Sequence, residues 1–327
     1  MPLLEVNNLR TVFHTEGGTV RAVDGVSFAV EPGKVLGIVG ESGCGKSVTA
    51  LSIMRLVPDP PGRIVGGEVF WKGTGLLKLP PKKMPSIRGR EIAMIFQDPM
   101  TSLNPVFTIW KHLQEVLWKR FRLKGEPAKK RAMQALSEAG IPDPESRLAA
   151  YPHELSGGMK QRIMIALALL CEPDLLIADE PTTALDVTIQ KQILYLMREM
   201  QERTGMAIVL ITHNLGVVAE TCDDVVVMYA GKVAEQSTVH DLFARPRHPY
   251  THGLLRSLPH KGLTREKALP MIEGTVPSLV APPPGCRFTP RCFRAEERCT
   301  REEPQLLANA AGRKAACHFP LDEEKQT

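Results

Sequence analysis

Residues 40–47 have the residue types and the spacing of a phosphate-binding loop. Their sequence, GESGCGKS, fills every fixed position of the pattern G-x-x-x-x-G-K-[ST]. Glycines allow the tight turns that direct successive N–H groups toward phosphate oxygens, and the helix that follows adds a positive dipole. Lys46 would reach the β- and γ-phosphates, and Ser47 would ligate Mg²⁺. The stretch predicts a nucleotide-binding protein whose phosphate contacts are Gly40, Ser42, Gly43, Cys44, Gly45, Lys46, Ser47 and Val48.

Two carboxylates follow an apolar stretch at residues 175–178. Asp179 and Glu180 would lie where the stretch ends, and the carboxyl ends of parallel strands are where a nucleotide binds in an α/β sheet. Asp179 would hold Mg²⁺, and Glu180 would act as general base on the attacking water. Strands often end in acids at a solvated edge, so the pair alone is a weak signal. Together with the phosphate loop it predicts ATP hydrolysis.

Gln97 and His213 each follow a further apolar stretch, at residues 92–96 and 207–211. The Gln97 amide oxygen could reach Mg²⁺ and the water. His213 could hydrogen-bond the γ-phosphate and hold the base in place. Each residue type at such a position is more often a capping or surface residue, so both assignments depend on the loop and the acids.

The sequence LSGGMKQR at residues 155–162 predicts a second anion site. Ser156 can cap a helix, and Gly157 and Gly158 expose backbone N–H groups at its dipole-positive end. An ordinary Ser-Gly helix start would be the preferred interpretation if this stretch stood alone.

An α/β fold with a parallel sheet covered by helices is needed to position these residues. Apolar runs at residues 35–39, 92–96, 175–178 and 207–211 alternate with helical patterns at 47–54, 160–170 and 187–203, and strands at 225–228 and 232–234 close the core. Residues 3–30 predict a separate sheet of short strands that contains Phe13, and residues 108–150 predict an inserted helical subdomain. The basic run from Lys119 to Lys124 could bind nucleic acid, but a solvated helical face is the more common case.

Length and composition predict a soluble protein of about two domains. The chain has 327 residues and a net charge of +5, which could suit an anionic ligand or a membrane surface but does not distinguish between them. Its longest nearly apolar run, residues 163–171, is far below the ~20 residues that span a bilayer. The first residues lack a basic and an apolar signal region. We therefore expect an ATP-using cytoplasmic protein.

The motif order resembles that of the ATPase subunits of ABC transporters: a phosphate loop, Gln97, LSGGMKQR, LLIADE and His213. The resemblance covers residues 3–235. It implies a P-loop ABC ATPase core with an antiparallel front sheet and a helical subdomain at about residues 100–170. It further implies a head-to-tail dimer in which Ser156, Gly157 and Gly158 of one subunit close over ATP on the other. Asp186, in the sequence ALD, matches the loop that crosses the dimer seam, and Phe13 has the place of the adenine-stacking aromatic.

Residues 96–105 and 246–251 are similar to oligopeptide and dipeptide importer ATPases, close to the dipeptide-type D subunit. This implies a domain boundary at 235/236, with a small cysteine-rich C-terminal extension at 236–327. It also implies two permeases, a second ATPase in a heterodimer, an extracytoplasmic peptide-binding protein acting indirectly, and a peripheral location on the cytoplasmic face of the inner membrane. Nickel or another small solute remains a possible cargo. Asn214 and Cys44 depart from the usual Asp and Ser without removing a required group.

Four of the seven cysteines lie near the C-terminus, with the spacing C-x5-C-x6-C-x17-C. Clustered cysteines in a reducing cytosol more often bind metal than form disulfides. The spacing lacks the short pairs of structural zinc sites and does not match ferredoxin runs, so zinc, an iron–sulfur cluster and no metal all stay open. The resemblance to the dipeptide-importer tail implies a 4Fe–4S cluster on Cys286, Cys292, Cys299 and Cys317.

Two other functions compete with an importer motor. ABC ATPases that act on nucleic acid or ribosomes usually carry coiled-coil arms, zinc inserts or two fused ATPase halves, and a chain with one phosphate loop shows none of these, so we expect no nucleic-acid partner. A module that senses ATP without turnover would be favoured by loss of the base, but Glu180 is present.

Overall fold

The structure is a computed structural model, and it describes residues 1–97, 102–183, 185–258 and 271–321. It divides into two compact units, of which the first comprises Met1–Lys78 and Leu210–Thr327 and the second Leu79–Val209. The predicted motif residues 98–101 and Ala184 lie outside the described residues. In the described ranges, no helix combines the length and the apolar character needed to cross a bilayer.

The strands and helices follow the predicted alternation. The strands are β1 (Leu4–Thr15), β2 (Gly18–Val30), β3 (Val35–Val39), β4 (Gly62–Trp71), β5 (Thr74–Gly75), β6 (Ile92–Ile95), β7 (Leu175–Asp179), β8 (Ala207–Ile211), β9 (Asp224–Tyr229), β10 (Lys232–Thr238), β11 (Leu307–Ala308) and β12 (Lys314–Ala315). The helices are α1 (Lys46–Ile53), α2 (Met84–Ile87), α3 (Ile109–Phe121), α4 (Gly125–Glu138), α5 (Pro144–Ala149), α6 (Gly157–Leu169), α7 (Val187–Thr204), α8 (Leu215–Thr221), α9 (Val239–Ala244), α10 (Pro249–Arg256) and α11 (Glu297–Arg301). The described residues also contain short 3-10 turns at Leu76–Lys78, Pro81–Lys83, Pro152–Glu154 and Thr289–Arg291.

The first unit contains the antiparallel front sheet predicted for the N-terminal strands, in the order β2-β1-β4-β5. Buried residues alternate along β1 at Leu4 and Val6, and a register shift before Leu9 keeps that side chain in the core as well. Thr11 is fully buried, and its hydroxyl lies 2.7 Å from that of Ser52 in α1. The front sheet is thus hydrogen-bonded to the helix that follows the phosphate loop.

The second sheet of the first unit carries the phosphate loop at the end of β3. Strand β3 is buried along its whole length and pairs in parallel with β9, where Gly37 is opposite Val225. Burial on both faces explains why its sequence is apolar without alternation. Strand β9 pairs with β10, which extends four residues beyond the predicted end at 234 because the pairing with β9 continues to Thr238. Strand β12 of the C-terminal region pairs with β10 at Glu235 and Gln236.

The second unit contains the parallel pair β6 and β7, in which Ile95 is opposite Ala178. The predicted helical segment is confirmed as α3, α4 and α5, and buried side chains such as Leu113 and Leu136 form its core. The basic run lies on the surface, where Arg122 and Lys124 stack on the half-exposed Trp118 with their charged groups 5.3 and 5.8 Å from the ring centroid.

The C-terminal extension does not form a compact unit of its own. Its described residues cluster with those of Met1–Lys78, and Glu235 and Gln236 of β10 pair with Ala315 and Lys314 of β12. The separate cysteine-rich domain of the prediction is therefore not seen in this part of the chain, because strand pairing joins the extension to the sheet that carries the phosphate loop.

Candidate nucleotide-binding site

The phosphate loop has the backbone conformation that its glycines predict. Gly40, Gly43 and Gly45 have φ angles of 152°, 78° and 102°, which disfavour any residue with a side chain. A Cβ at Gly45 would lie 2.2 Å from the Ala22 carbonyl oxygen, and one at Gly40 would lie 2.2 Å from that of Met228. Nothing lies within 4 Å of a Cβ at Gly43, and Ser42 and Gly43 are exposed. The loop is therefore held at its two ends and open at its tip.

Lys46 is the first residue of α1 and is folded back over the loop. Its Nζ donates to the carbonyl oxygens of Gly40 at 2.8 Å and Glu41 at 3.1 Å, and the residue is only 5% exposed. A helix N-terminus with a lysine at its first position fits an anionic ligand such as a nucleotide phosphate. Ser47 and Val48 follow in the first turn of the same helix.

Cys44, the departure from the usual serine, is a structural member of the loop. It is 1% exposed, and burial raises the pKa of its thiol in spite of the nearby Lys46. Its carbonyl oxygen accepts from Gly231 N at 2.9 Å. A neutral, buried thiol fills this position without adding a charge to the loop.

Phe13 and His213 also lie in the first unit. Phe13 is half-buried on β1, where it pairs with Gly62 of β4, and a Cβ at Gly62 would lie 2.7 Å from the Phe13 ring. Glycine on the neighbouring strand thus leaves room for the ring. His213 follows β8 and is exposed. Asn214, which stands where the family usually has Asp, caps α8 by accepting from Gly216 N at 2.9 Å and Val217 N at 3.3 Å.

In the second unit, Glu180 follows β7 in a left-handed backbone conformation with φ of 46°. Thr183 Oγ1 donates to Glu180 Oε2 at 2.8 Å, and Gln97 Nε2 lies 3.4 Å from the same oxygen. Asp179, the last residue of the strand, is buried at 4% exposure. The structure therefore brings the predicted base next to the predicted glutamine and adds Thr183, which the sequence did not single out.

The predicted second anion site is a helix N-terminus, as expected. Ser156 caps α6 by accepting from Met159 N at 3.3 Å, and Asp186 caps α7 by accepting from Ile189 N at 2.9 Å. A Cβ at Gly158 would lie 2.9 Å from the Ile189 side chain, so glycine is needed where these two helix starts approach each other. Ser156, Gly157 and Asp186 thus belong to one packed surface of the second unit.

The four C-terminal cysteines are not arranged as a metal site. Within the described residues, no group of three or more His, Cys, Asp or Glu side chains is placed to hold a metal ion. Cys286 N donates to the Cys299 carbonyl oxygen at 2.8 Å, and Arg294 N donates to Cys292 Sγ at 3.4 Å. Burial raises the pKa of Cys286, Cys292 and Cys317, the last to about 12, and each is raised further by neighbouring cysteines. A thiol with a raised pKa must lose its proton to bind a metal, so metal binding at these cysteines would release protons.

Sequence reasoning missed the residues that hold Glu41, the second residue of the phosphate loop. Arg291 Nη1 and Nη2 lie 2.6 and 2.9 Å from the two Glu41 carboxylate oxygens, and Glu41 N donates to Tyr250 Oη at 3.0 Å. Tyr250 belongs to the sequence PRHPYT at residues 246–251, one of the two stretches that resemble the peptide importer ATPases. Arg291 had no signal, because it lies 250 residues from its partner.

Comparison with known proteins gives matches along almost the whole chain. The family model described as "ABC transporter" matches residues 23–183, and that described as "Oligopeptide/dipeptide transporter, C-terminal region" matches residues 234–299. The chain is 54% identical to a probable peptide ABC transporter ATP-binding protein of Sinorhizobium fredii, over 96% of this chain and 94% of the relative. It is 49% identical to the dipeptide transport ATP-binding protein DppD of Escherichia coli, over 99% and 98%. A solved dimer of an ATP-binding cassette in a post-hydrolysis state, bound to ADP and Pi, superposes with a TM-score of 0.65 at 27% identity, over 72% of this chain and 98% of that one.

Proposed function

This chain belongs to the ATP-binding subunits of oligopeptide and dipeptide ABC transporters, and from that membership we propose how its residues drive peptide uptake. As such a subunit it is an ABC-type ATPase and the motor of a peptide importer. We propose that it powers the uptake of di- or oligopeptides through partner permeases. The observation that carries the proposal is the combination, in one chain, of a phosphate loop folded for an anion with the C-terminal region of peptide transporters.

The proposed roles follow from the chemistry of each residue. Lys46 and the N–H groups of residues 42–48 bind the ATP phosphates, and Phe13 stacks on the adenine. Ser47, Gln97 and Asp179 supply the oxygen ligands that Mg²⁺ prefers, and the ion when bound neutralises phosphate charge. Glu180 takes the proton from the attacking water, with its carboxylate held by Thr183 and Gln97. His213 binds the γ-phosphate.

We propose the partners that such a motor requires. Ser156, Gly157, Gly158 and Asp186 form the surface that meets a second ATPase subunit. The start of α6 supports this, because a helix N-terminus carries a partial positive charge that suits a phosphate of the partner's nucleotide. Two permeases and, indirectly, an extracytoplasmic peptide-binding protein complete the machine. The chain is peripheral on the cytoplasmic face of the inner membrane, and no nucleic acid takes part.

The domain division at 235/236 is part of the same proposal. The ATPase segment is residues 1–235, with its helical subdomain at about 100–170, and the extension is 236–327. Support comes from the two family matches: the ABC transporter match ends at residue 183, and the match to the C-terminal region of peptide transporters begins at residue 234. The division describes two sequence families, while the extension is joined by β12 to the sheet of the phosphate loop.

A 4Fe–4S cluster on Cys286, Cys292, Cys299 and Cys317 is the narrower proposal for the extension. The resemblance of the tail supports it. The placement of the thiols does not, because no three of the described His, Cys, Asp or Glu side chains are positioned to hold a metal ion. We therefore assign no step of the reaction to a cluster, and its role would be confined to holding the extension together.

Transport by the assembled complex tests the function. We expect the chain, co-purified with its membrane partners and reconstituted into vesicles, to drive ATP-dependent uptake of a labelled dipeptide, and a complex that carries Glu180→Gln to bind ATP without uptake. Uptake of nickel but not of peptides would show that nickel is the cargo. A chain that purifies with nucleic acid or ribosomes instead of permeases would contradict the proposed importer function.

A further inference from the structure

Every polar group of Glu41 is engaged in the structure. Its N–H donates to Tyr250 Oη at 3.0 Å, and its carbonyl oxygen accepts from Lys46 Nζ at 3.1 Å and from Cys44 N at 3.3 Å. Its carboxylate is paired with Arg291. Since Lys46 and Cys44 are members of the phosphate loop, the position of Glu41 determines where the loop and its lysine lie.

Arg291 is fitted to this position by its whole guanidinium group. Besides the two bonds to the Glu41 carboxylate, Nη1 donates to Tyr229 Oη at 3.3 Å, Nη2 to the Ile272 carbonyl oxygen at 3.1 Å and Nε to that of Glu273 at 2.9 Å. All five donors of the arginine are therefore used. The side chain is 4% exposed, and the hydrogen bonds to Glu41 raise its pKa above the usual value. A lysine could keep the charge but not this planar set of contacts.

Tyr250 reaches the loop from a second part of the C-terminal region. It is fully buried and packs against Tyr229 and Phe288, with ring centroids 4.6 and 5.4 Å away. The turn before it is held by the buried Glu235 of β10, whose carboxylate accepts from the backbone N–H groups of Arg247 and His248, both at 2.8 Å. The PRHPYT sequence thus serves to place one hydroxyl on the phosphate loop.

These contacts give the extension a direct effect on the site. The phosphate loop is open at Ser42 and Gly43, so its conformation before ATP binds depends on what holds its start. If only a fraction of the molecules has the binding conformation, the apparent Kd for ATP rises by the inverse of that fraction. We propose that Arg291 and Tyr250 are positioning residues that fix Glu41 and hold the phosphate loop ready for ATP. This inference rests on the proposed assignment of the loop as the ATP site.

Binding of ATP with Mg²⁺ to the full-length chain, measured by titration calorimetry, tests the inference. We expect Arg291→Ala to weaken ATP binding about tenfold, as if the loop were competent about one-tenth of the time. Arg291→Lys should lie between this variant and the wild type. Arg287→Ala is the matched control, because Arg287 is equally buried in the same region but pairs with Asp24 and the Ala230 carbonyl oxygen instead of Glu41. It should lower the melting temperature with a much smaller change in ATP affinity.

A double-mutant cycle separates positioning from general damage. Glu41→Ala and Arg291→Ala should each weaken ATP binding, and the double variant should be no weaker than the worse single one, because both remove the same contact. In the assembled complex these variants should raise the KM for ATP with little change in kcat, since the lost interaction acts on binding. Additive effects, or an Arg291→Ala chain that binds ATP like the wild type, would overturn the inference.

Tyr250→Phe keeps the inference testable even if Arg291→Ala fails to fold. It deletes one hydroxyl and leaves the aromatic packing, so we expect a folded chain that binds ATP about fivefold more weakly. Unchanged affinity in Tyr250→Phe would overturn the role of that residue. Absence of ATP binding by the wild-type chain would instead overturn the proposed site itself, and the two failures are therefore distinguishable.

Discussion

Glu180 directly follows strand β7, and its carboxylate is held in place by neighbouring side chains. Its backbone is in the left-handed region, and one carboxylate oxygen is held by Thr183 at 2.8 Å and approached by Gln97 at 3.4 Å. A base must have its carboxylate in a defined place, and these contacts fix the carboxylate of Glu180. The side chain that the sequence predicted as base is thus oriented by a threonine three residues later.

Exchange of Glu180 for glutamine tests this role. Glu180→Gln keeps an oxygen for Thr183 but cannot take a proton from water, so we expect ATP affinity to be unchanged and kcat to fall by about 100-fold or more. Phosphate release by the assembled complex measures the rate, and calorimetry measures the affinity. Turnover near that of the wild type would remove Glu180 from the base role.

Lys46 should affect binding itself. Lys46→Ala removes the positive charge at the start of α1, and hydrogen bonds to charged groups contribute about 1.5–3 kcal/mol each. We expect ATP affinity to fall by at least about tenfold. Ser42→Ala, an exposed change in the same loop, serves as the comparison and should have a smaller effect. Equal ATP affinity in Lys46→Ala and the wild type would contradict the assignment.

His248 should make the stability of the chain depend on pH. It is buried and accepts from Tyr250 N at 3.0 Å, and burial lowers its pKa to about 4. In the unfolded chain the pKa is about 6.5, so between these values the unfolded state binds more protons. The free energy of unfolding should therefore decrease as the pH falls through this window, by up to about 1.4 kcal/mol per pH unit.

The variant His248→Asn can keep the cap without a titrating group. We expect it to lose this part of the pH dependence, and denaturant unfolding at several pH values across the window measures the difference. Parallel stability curves for the variant and the wild type would show that His248 does not titrate as its burial requires.

At the scale of elements, helix starts carry most of the predicted chemistry. Helix α1 follows the phosphate loop, and α6 and α7 begin with Ser156 and Asp186 as caps. A helix N-terminus carries a partial positive charge, so the starts of α1 and α6 suit an anion, whereas the start of α7 already has the Asp186 carboxylate as its cap. The glycines at these starts are required by close approach, as Gly45 to Ala22 and Gly158 to Ile189 show.

Ser156→Arg tests the role of the α6 start. The bulky cation should abolish ATP turnover by blocking the approach of a partner's nucleotide, and Ser156→Ala, which loses only the cap at a cost of about 1 kcal/mol, should retain much of it. Mixed dimers that contain one variant subunit locate the effect. Loss of hydrolysis at the variant subunit's own phosphate loop, with the partner's loop still active, would contradict the head-to-tail arrangement.

At the scale of the whole molecule, the extension belongs to the unit that carries the phosphate loop. The extension contributes strand β12 to the sheet. Its Tyr250 and Phe288 pack against Tyr229 in an aromatic cluster, and its Arg291 pairs with Glu41 of the phosphate loop. Deletion of the extension would therefore remove core packing along with any separate function.

Metal content tests the four-cysteine proposal. We expect an anaerobic preparation of the full chain to be brown, with about four irons and four sulfides per chain, and Cys292→Ser to lose the colour. Iron and sulfide analysis with absorption spectroscopy measures this, and Cys171→Ser is the control outside the tail. One tightly bound zinc per chain would show that the cysteines hold zinc instead of a cluster. A metal-free chain would contradict both proposals.

The sequence alone determined the features that depend on contiguous residues. The loop from Gly40 to Ser47, the Ser156 cap and the acidic end of β7 each lie within about ten residues, where local backbone chemistry decides the structure. Strand and helix types were predicted because their apolar periods are local as well. The predicted ends of strands were less accurate where pairing with another strand sets the length, as for β10, which continues to Thr238.

Only the tertiary structure decided which distant residues meet. Glu41 and Arg291 are 250 positions apart, and neither has a local pattern that marks the other as its partner. The same is true of Tyr250, 209 positions from Glu41, and of β12 on β10. Such contacts form because burial requires each guanidinium, carboxylate and hydroxyl to find a partner, and the partner available depends on how the strands are ordered in space.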